Sequence, residues 1–391
     1  MMACLLRRRE QTGRLKRKVV MIMKASVYSS RAARMEEILK KEGIDCFLVT
    51  PSSDMKYLCG YSIHGDERFL ALVLAPGHEP FIIANILYEL QVTETPVEEF
   101  TYWPDGDDPF ALLKKELSAR GIKTDTIAVD SAMPALFTIQ LKDLYPEARL
   151  VNGSPLVQPL RIYKDSTELE LMREATKRAD IALKKCMDRG TYWVGKTESE
   201  FRAQLVYEMT CLGIPDCGGM AAVGANAAVP HHNPGDTVIE MGKCLLIDFG
   251  GTYKNYNTDM TRTYHFGEPS DKFKEVYNIV LEANLAGEEA AKAGNALQDV
   301  DRAARAVITK AGYGDYFIHR TGHGIGIDCH EGPSAGEGEL TEIRPGMAFS
   351  CEPGIYLPGE FGVRIEDQVM IELDGTTTVL HKLPKELTVI K

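Results

Sequence analysis

The sequence predicts two domains of different class: an α/β domain over residues 25–155 and an α+β domain over residues 160–391. Three observations carry this. Short apolar runs alternate with amphipathic stretches in the first part. The stretch Val151–Asp165, with Gly153, Pro155 and Pro159, interrupts that pattern and reads as a linker. Beyond it, long helical patterns are interspersed with paired strand-like runs. A chain of 391 residues agrees with this, at roughly 100–200 residues per domain.

In the first domain, Ser30–Glu42 has helical spacing with Ala33, Ile38 and Leu39 on its apolar side, and Ile44–Thr50 reads as a buried strand. Phe69–Pro76 and Pro80–Asn85 are two strands around a Gly77–His78 turn. Asp108–Ala119 is a helix and Thr126–Asp130 a further strand. In the second domain a helix starts at Asp165 or Ser166, with Glu168 and Glu170 in its first turn. Another starts at Thr197, where T-E-S-E is a capping box. Helical patterns recur at Asp271–Ala293 and Leu297–Ala311, and strand-like runs at Lys243–Tyr253, Tyr256–Phe266, Met347–Leu357 and Phe361–Glu372. No tandem repeat of solenoid length is present.

Acidic residues exceed basic ones, 56 against 45, for a formal charge of −11. This excludes a nucleic-acid partner, whose phosphates call for a basic surface. No apolar run approaches the roughly 18 residues of a membrane span. The nine cysteines are scattered, with no C-x-x-C, so neither a disulfide framework nor a zinc ribbon is expected. Free thiols fit a reducing cytoplasm. Residues 1–24 form a basic arm that is left out of the fold. Its apolar run VVMIM is shorter than the about 7–15 residues of a signal core, and Met21 or Met23 is an alternative start.

The acidic residues of the second domain are placed by hairpin arithmetic. Asp248 and Asp259 are equidistant from a turn centred between Tyr253 and Lys254. In a symmetric antiparallel hairpin they face each other, with Cβ atoms about 4.5–5.5 Å apart. The apolar neighbours Leu245, Leu246, Ile247 and Phe249 bury Asp248. Such a pair needs a cation or a shared proton. Glu352 and Glu366 are likewise equidistant from Gly359, within a Pro358–Gly359–Glu360 turn. Between the pairs lies RTGHGIGIDCHEGP, Arg320–Pro333, with His323 and His330 inside it and His319 just before. Its glycines allow close backbone approach. A solvated acidic face or a core histidine would explain any one of these features, but two facing pairs beside a glycine–histidine string are less easily dismissed. His231 and His232, in AVPHHNPGD, are weaker candidates.

Four carboxylates and one imidazole form an oxygen-rich set that suits Mn²⁺, Co²⁺ or Zn²⁺. They match two ions about 3.5–4 Å apart, which acidify a bridging water and polarise a carbonyl. The chemistry this implies is hydrolysis.

The motifs LLIDFGGTYKNYNTDMTRT, HRTGHGIGIDCHE, CEPGIY and VRIED, in this order, resemble those of the Xaa-Pro peptidases, prolidase and aminopeptidase P. These share the pita-bread fold with methionine aminopeptidase and creatinase, and the resemblance runs from about Val27 to the C-terminus. It implies a Xaa-Pro dipeptidase or aminopeptidase that cleaves small peptides with proline in second position by metal-bridged hydroxide attack, as a homodimer with two divalent ions, Mn²⁺ first. Asp248 then binds one ion, Asp259 and Glu366 bridge, and His323 and Glu352 hold the second. Glu352 also takes the proton of the nucleophilic water. His231 and His330 stabilise the oxyanion, His319 lines the proline-side pocket, and Arg364 orients carboxylates. A metal-independent creatinase-like C–N hydrolase is the alternative on the same fold. Ser334 stands where several prolidases carry an arginine that grips the dipeptide carboxylate. His64 and Arg68 of the Tyr61–Arg68 loop are the substitutes, or longer peptides are accepted.

Overall fold

The computed structural model describes residues 26–61 and 64–391. The basic arm and positions 62 and 63 lie outside them. The chain divides into two compact units between Arg161 and Ile162.

The N-terminal unit holds helix α1 (26–42), strand β1 (Cys46–Val49), α2 (Ser53–Cys59), β2 (Ala71–Leu74), β3 (Phe81–Asn85), α3 (Glu89–Val92), β4 (Glu99–Trp103), α4 (Pro109–Ala119), β5 (Thr126–Val129), α5 (Ala135–Leu144), β6 (Arg149–Asn152) and α6 (Ser154–Ile162). Its six strands form one mixed sheet in the order β4-β3-β2-β1-β5-β6. β1, β2 and β3 pair antiparallel, and the outer pairings are parallel. β1, β2 and β3 are buried along their whole length, as their unbroken apolar runs require. The expected linker is not a loop: β6 and α6 occupy most of it. Pro155 falls in the first turn of α6, where its missing N–H costs nothing. Gly153 is small because the Phe47 ring packs where a Cβ would stand.

The C-terminal unit opens with α7 (Ser166–Met187) and α8 (Glu198–Cys211). Both carry the capping boxes read from the sequence, Asp165 with Glu168 and Thr197 with Glu200. Then come β7 (Asp216–Val223), β8 (Cys244–Tyr253), β9 (Tyr256–Phe266), α9 (Asp271–Ala290), α10 (Leu297–Lys310), β10 (Gly322–Gly324), β11 (Glu331–Ala335), β12 (Ala348–Cys351), β13 (Gly354–Leu357), β14 (Phe361–Arg364), β15 (Asp367–Ile371), β16 (Thr377–Val379) and β17 (Thr388–Ile390). A four-stranded sheet runs β17-β9-β8-β7, a five-stranded one β11-β10-β12-β15-β16, and β13 pairs with β14 alone. The four helices close over these sheets around apolar clusters such as Trp193, Phe201, Phe249 and Phe266. The mix of helices and antiparallel hairpins is the α+β arrangement the sequence predicts. Among the described residues no helix is long and apolar enough to cross a membrane.

Two hairpin registers decide where the acidic residues stand. β8 and β9 pair Asp248 with Thr261 and Gly250 with Asp259, so Asp248 and Asp259 do not face each other directly. The turn is Lys254–Asn255, with φ of 48° and 73°. This is the tight two-residue form whose twist matches the strands, and it moves the hairpin centre by one residue. The two aspartates become diagonal neighbours, still on one face because the offset is two. In the second hairpin, Gly354 pairs with Arg364 and Cys351 with Asp367, one continuous register that sets Glu352 opposite Glu366. Pairing breaks there. Pro353 has no N–H to give to the ladder, the Glu352 amide donates to Thr321 O at 2.7 Å, and that of Glu366 to Thr261 O at 3.1 Å.

Candidate metal centre

That break is where the second hairpin, the β8–β9 hairpin and β10 converge. The Thr261–Glu366 bridge pins β9 to the gap between β14 and β15. The Thr321–Glu352 bond pins the residue before β10 to the end of β12. Asp248, Asp259, His323, Glu352 and Glu366 are thereby gathered in one unit, from strands far apart in sequence. Asp259, His323 and Glu366 are buried, and their ligand atoms lie within 4.8 Å of one another. Asp248 is half-buried rather than buried, and its carboxylate is held by Arg364.

The proton inventory at this centre is short. His323 Nδ1 donates to the Gly324 carbonyl at 3.1 Å. Burial, reinforced by His330, holds its pKa down at about 3, so the ring is neutral. Its Nε2 therefore presents a lone pair, 3.3 Å from Glu352 Oε1 and 3.7 Å from Asp259 Oδ2. Glu366 Oε2 accepts from Thr261 Oγ1 at 2.7 Å. Its Oε1 is buried with no partner among the described residues. Acceptors are aimed at acceptors. Like charges about 4 Å apart repel by about 4 kcal/mol at an effective dielectric of 20, so such a set needs a cation or retained protons. Burial, then the charge of Asp248, pushes Asp259 up to about 7. Burial is also the main reason that Glu352 is pushed up to about 8. Glu366 is driven well above the usual carboxylate range, by burial first and then by Asp259. A ring nitrogen donating to a backbone carbonyl while the other faces carboxylates is the usual posture of a metal-binding histidine. The donor set fits divalent metal.

The surrounding residues hold this set in place. Ser350 Oγ donates to Glu352 Oε1 at 3.1 Å and accepts the His323 amide at 3.0 Å. Arg364 is buried and all its nitrogens are engaged: Nη2 with Asp248, Nε with Thr261 Oγ1 at 3.0 Å, Nη1 with Tyr356 OH at 2.7 Å. The Tyr356 hydroxyl donates in turn to His319 Nε2 at 2.8 Å, and His319 Nδ1 donates to the Arg320 carbonyl at 2.7 Å. Burial, then Arg364, lowers His319 to about 4, so it is neutral. The ring of His330 lies 3.9 Å from that of His323. His231 is exposed, and its charge contributes to lowering both His319 and His330. His64 and Arg68 belong to the N-terminal unit. Arg68 pairs there with Asp66, Glu67 and Asp105.

Sequence reasoning missed four participants. Thr261 and Tyr356 carry the Arg364 and His319 bonds; neither residue type advertises such a role. Cys329 Sγ donates to Asp259 Oδ2 at 3.0 Å; its place inside the glycine–histidine string was the available signal. Glu198, wholly buried in α8, accepts from Val223 N (2.7 Å), Asn226 Nδ2 (2.9 Å), His232 Nε2 (2.8 Å) and Gly235 N (3.0 Å). It clamps both ends of the loop that presents His231.

Comparison with known proteins agrees with this geometry. Residues 170–372 match metallopeptidase family M24, and residues 31–163 match the creatinase/prolidase N-terminal domain. The chain is 35% identical over 364 residues to the Xaa-Pro dipeptidase of Lactobacillus helveticus, covering 91% of this chain and 98% of that one. The recombinant prolidase of Thermococcus sibiricus superposes with a TM-score of 0.88 at 34% identity, over 93% of this chain and 99% of that one. The X-Pro aminopeptidase of Thermotoga maritima gives 0.79 at 32% identity, over 89% and 98%.

Proposed function

This chain belongs to metallopeptidase family M24, and from that premise we propose that it is a dinuclear Xaa-Pro dipeptidase. The observation that carries the proposal is the approach of Asp259 Oδ2 and Glu352 Oε1 to His323 Nε2, with Glu366 in the same buried group and one of its oxygens unpartnered among the described residues. Asp248, Asp259 and Glu366 would hold one ion, and Asp259, Glu366, His323 and Glu352 the other. When bound, two divalent ions supply an acidified water and a polarised carbonyl.

The chain's own residues do the rest. Glu352 takes the proton of the attacking water and returns it to the leaving amine. His231 and His330 donate to the carbonyl oxygen as it becomes an oxyanion. Arg364, locked by Thr261 and Tyr356, keeps Asp248 oriented. Ser350 Oγ fixes one oxygen of Glu352.

Specificity for a dipeptide requires a cation for its free carboxylate. Ser334, paired opposite His323, carries no charge. Arg364 has no nitrogen to spare, and His319 is neutral. Within the C-terminal unit Arg320 is a candidate, exposed beside the site, whose charge bears on both His323 and His330. The name of the Lactobacillus relative supports the dipeptidase reading and that of the Thermotoga protein the aminopeptidase one. Association into a homodimer is part of the proposal and is read by light scattering.

The deciding experiment compares kcat/KM for Leu-Pro, Leu-Pro-amide and Leu-Pro-Gly, with metal removed and with Mn²⁺, Co²⁺ or Zn²⁺ restored. Metal-dependent cleavage that favours Leu-Pro is the expected result. Equal values for all three substrates overturn carboxylate recognition. Full activity in metal-free protein overturns the metal reading in favour of a creatinase-like hydrolase.

A further inference from the structure

Asp259 belongs to two groups of ligand-type side chains. One is Asp259, His323 and Glu366; the other is Asp259, Cys329 and His330, whose ligand atoms also lie within 4.8 Å of one another. The two groups share a single oxygen, since Asp259 Oδ2 approaches both His323 Nε2 and Cys329 Sγ. We propose that Cys329 is a ligand of an ion held at Asp259, and that it biases this centre toward the thiophilic ions Zn²⁺ and Co²⁺ over Mn²⁺. The inference rests on the proposed metal centre and adds to it a residue outside the five ligands.

Three observations support it. The Sγ–Oδ2 separation is 3.0 Å. A thiolate at about 2.3 Å and a carboxylate at about 2.0–2.2 Å from one ion stand roughly 3–3.6 Å apart, so both atoms reach the same ion with little movement. The cysteine is not isolated: His330 completes its group, and the buried Glu366 Oε1 has no partner among the described residues. Finally, the other donors are oxygens and imidazole, a set that accepts Mn²⁺, Co²⁺ and Zn²⁺. One soft sulfur tilts the choice among them. On binding, the S–H bond breaks, a sulfur–metal bond forms and the proton leaves to solvent; no electron is transferred.

The test uses full-length protein stripped of metal and titrated with Co²⁺. Wild type should show a near-ultraviolet sulfur-to-cobalt charge-transfer band together with the visible ligand-field bands. Cys329→Val and the near-isosteric Cys329→Ser should keep the visible bands and lose the ultraviolet one. Equilibrium dialysis should show the Zn²⁺-to-Mn²⁺ affinity ratio falling by at least about tenfold in either variant. Unchanged near-ultraviolet spectra and an unchanged ratio in the folded variant would overturn the proposal and leave Cys329 as a hydrogen-bond donor to Asp259. Co²⁺ uptake by wild type without the ultraviolet band overturns this inference alone. No Co²⁺ uptake at all overturns the metal reading with it.

Discussion

Asp259 and Glu352 are both acids with raised pKa values, yet their surroundings assign them different tasks. Asp259 is buried between His323, Cys329 and the Asp248 charge, so its carboxylate serves geometry. Asp259→Asn should lose metal from both positions by elemental analysis; a variant that keeps two ions per chain would show that Asp259 is not shared. Glu352 is held by Ser350 on one oxygen and is the less buried of the two. Glu352→Gln should keep part of its metal while kcat falls by about 10²–10⁴, the usual worth of a general base. Near-normal turnover in this variant would move the proton acceptor elsewhere. Arg320→Ala addresses substrate length. It should raise KM for Leu-Pro and leave Leu-Pro-amide nearly unchanged, because only the free carboxylate gains from a charge-assisted bond. An equal loss on both substrates would make Arg320 structural.

At the scale of elements, the loop between β7 and β8 is positioned by a helix that has no part in the metal centre. Burial alone would raise the pKa of Glu198, but the donors of Asn226, His232, Val223 and Gly235 outweigh it and hold the carboxyl below the usual range. An ionised acid thus acts as the hub of the His231 loop. Glu198→Gln replaces one acceptor oxygen by a donor, and each buried donor left unmatched costs about 1–3 kcal/mol. The variant should melt earlier and lose about tenfold or more in kcat with metal content intact, since an oxyanion donor is worth about 10²–10³ when removed outright. Wild-type kcat with a lowered melting temperature would confine Glu198 to stability. In the β8–β9 hairpin, the strands and their shared face follow from alternation, whereas the pairing partner of each aspartate depends on the turn. The left-handed pair Lys254–Asn255 shifted the centre of that turn by one residue relative to the symmetric reading.

For the whole molecule, the centre links metal, pH and stability. The folded chain raises Asp259 from 3.8 to about 7 and Glu352 from 4.5 to about 8. A carboxyl whose folded pKa exceeds its unfolded one binds more protons when folded, so stability falls as pH rises through that interval. Metal-free protein should therefore lose thermal stability between about pH 4.5 and pH 8. Added Zn²⁺ or Mn²⁺ replaces the missing protons, and ligand binding stabilises the folded state further. The metal-induced rise in Tm should be larger at pH 8 than at pH 5. A rise independent of pH would mean that the five residues are not the ones that bind the ion.

What the sequence determined by itself is what local periodicity and capping chemistry encode: the helix starts at Asp165 and Thr197, the strands of the two carboxylate-bearing hairpins, the common face of Asp248 and Asp259, and the register that opposes Glu352 to Glu366. The family motifs added the proposed ligand set. Only the tertiary structure decided which hairpins meet. Thr261 bonds Glu366 across 105 positions, Tyr356 bridges Arg364 to His319, and Glu198 reaches the His231 loop. It also turned the expected linker into β6 and α6. The reason is physical. A strand's side-chain alternation is set within a few residues, by backbone geometry. A contact across a hundred residues exists only once loop closure has been offset by the burial of everything between, and that balance is not written at either end of the contact.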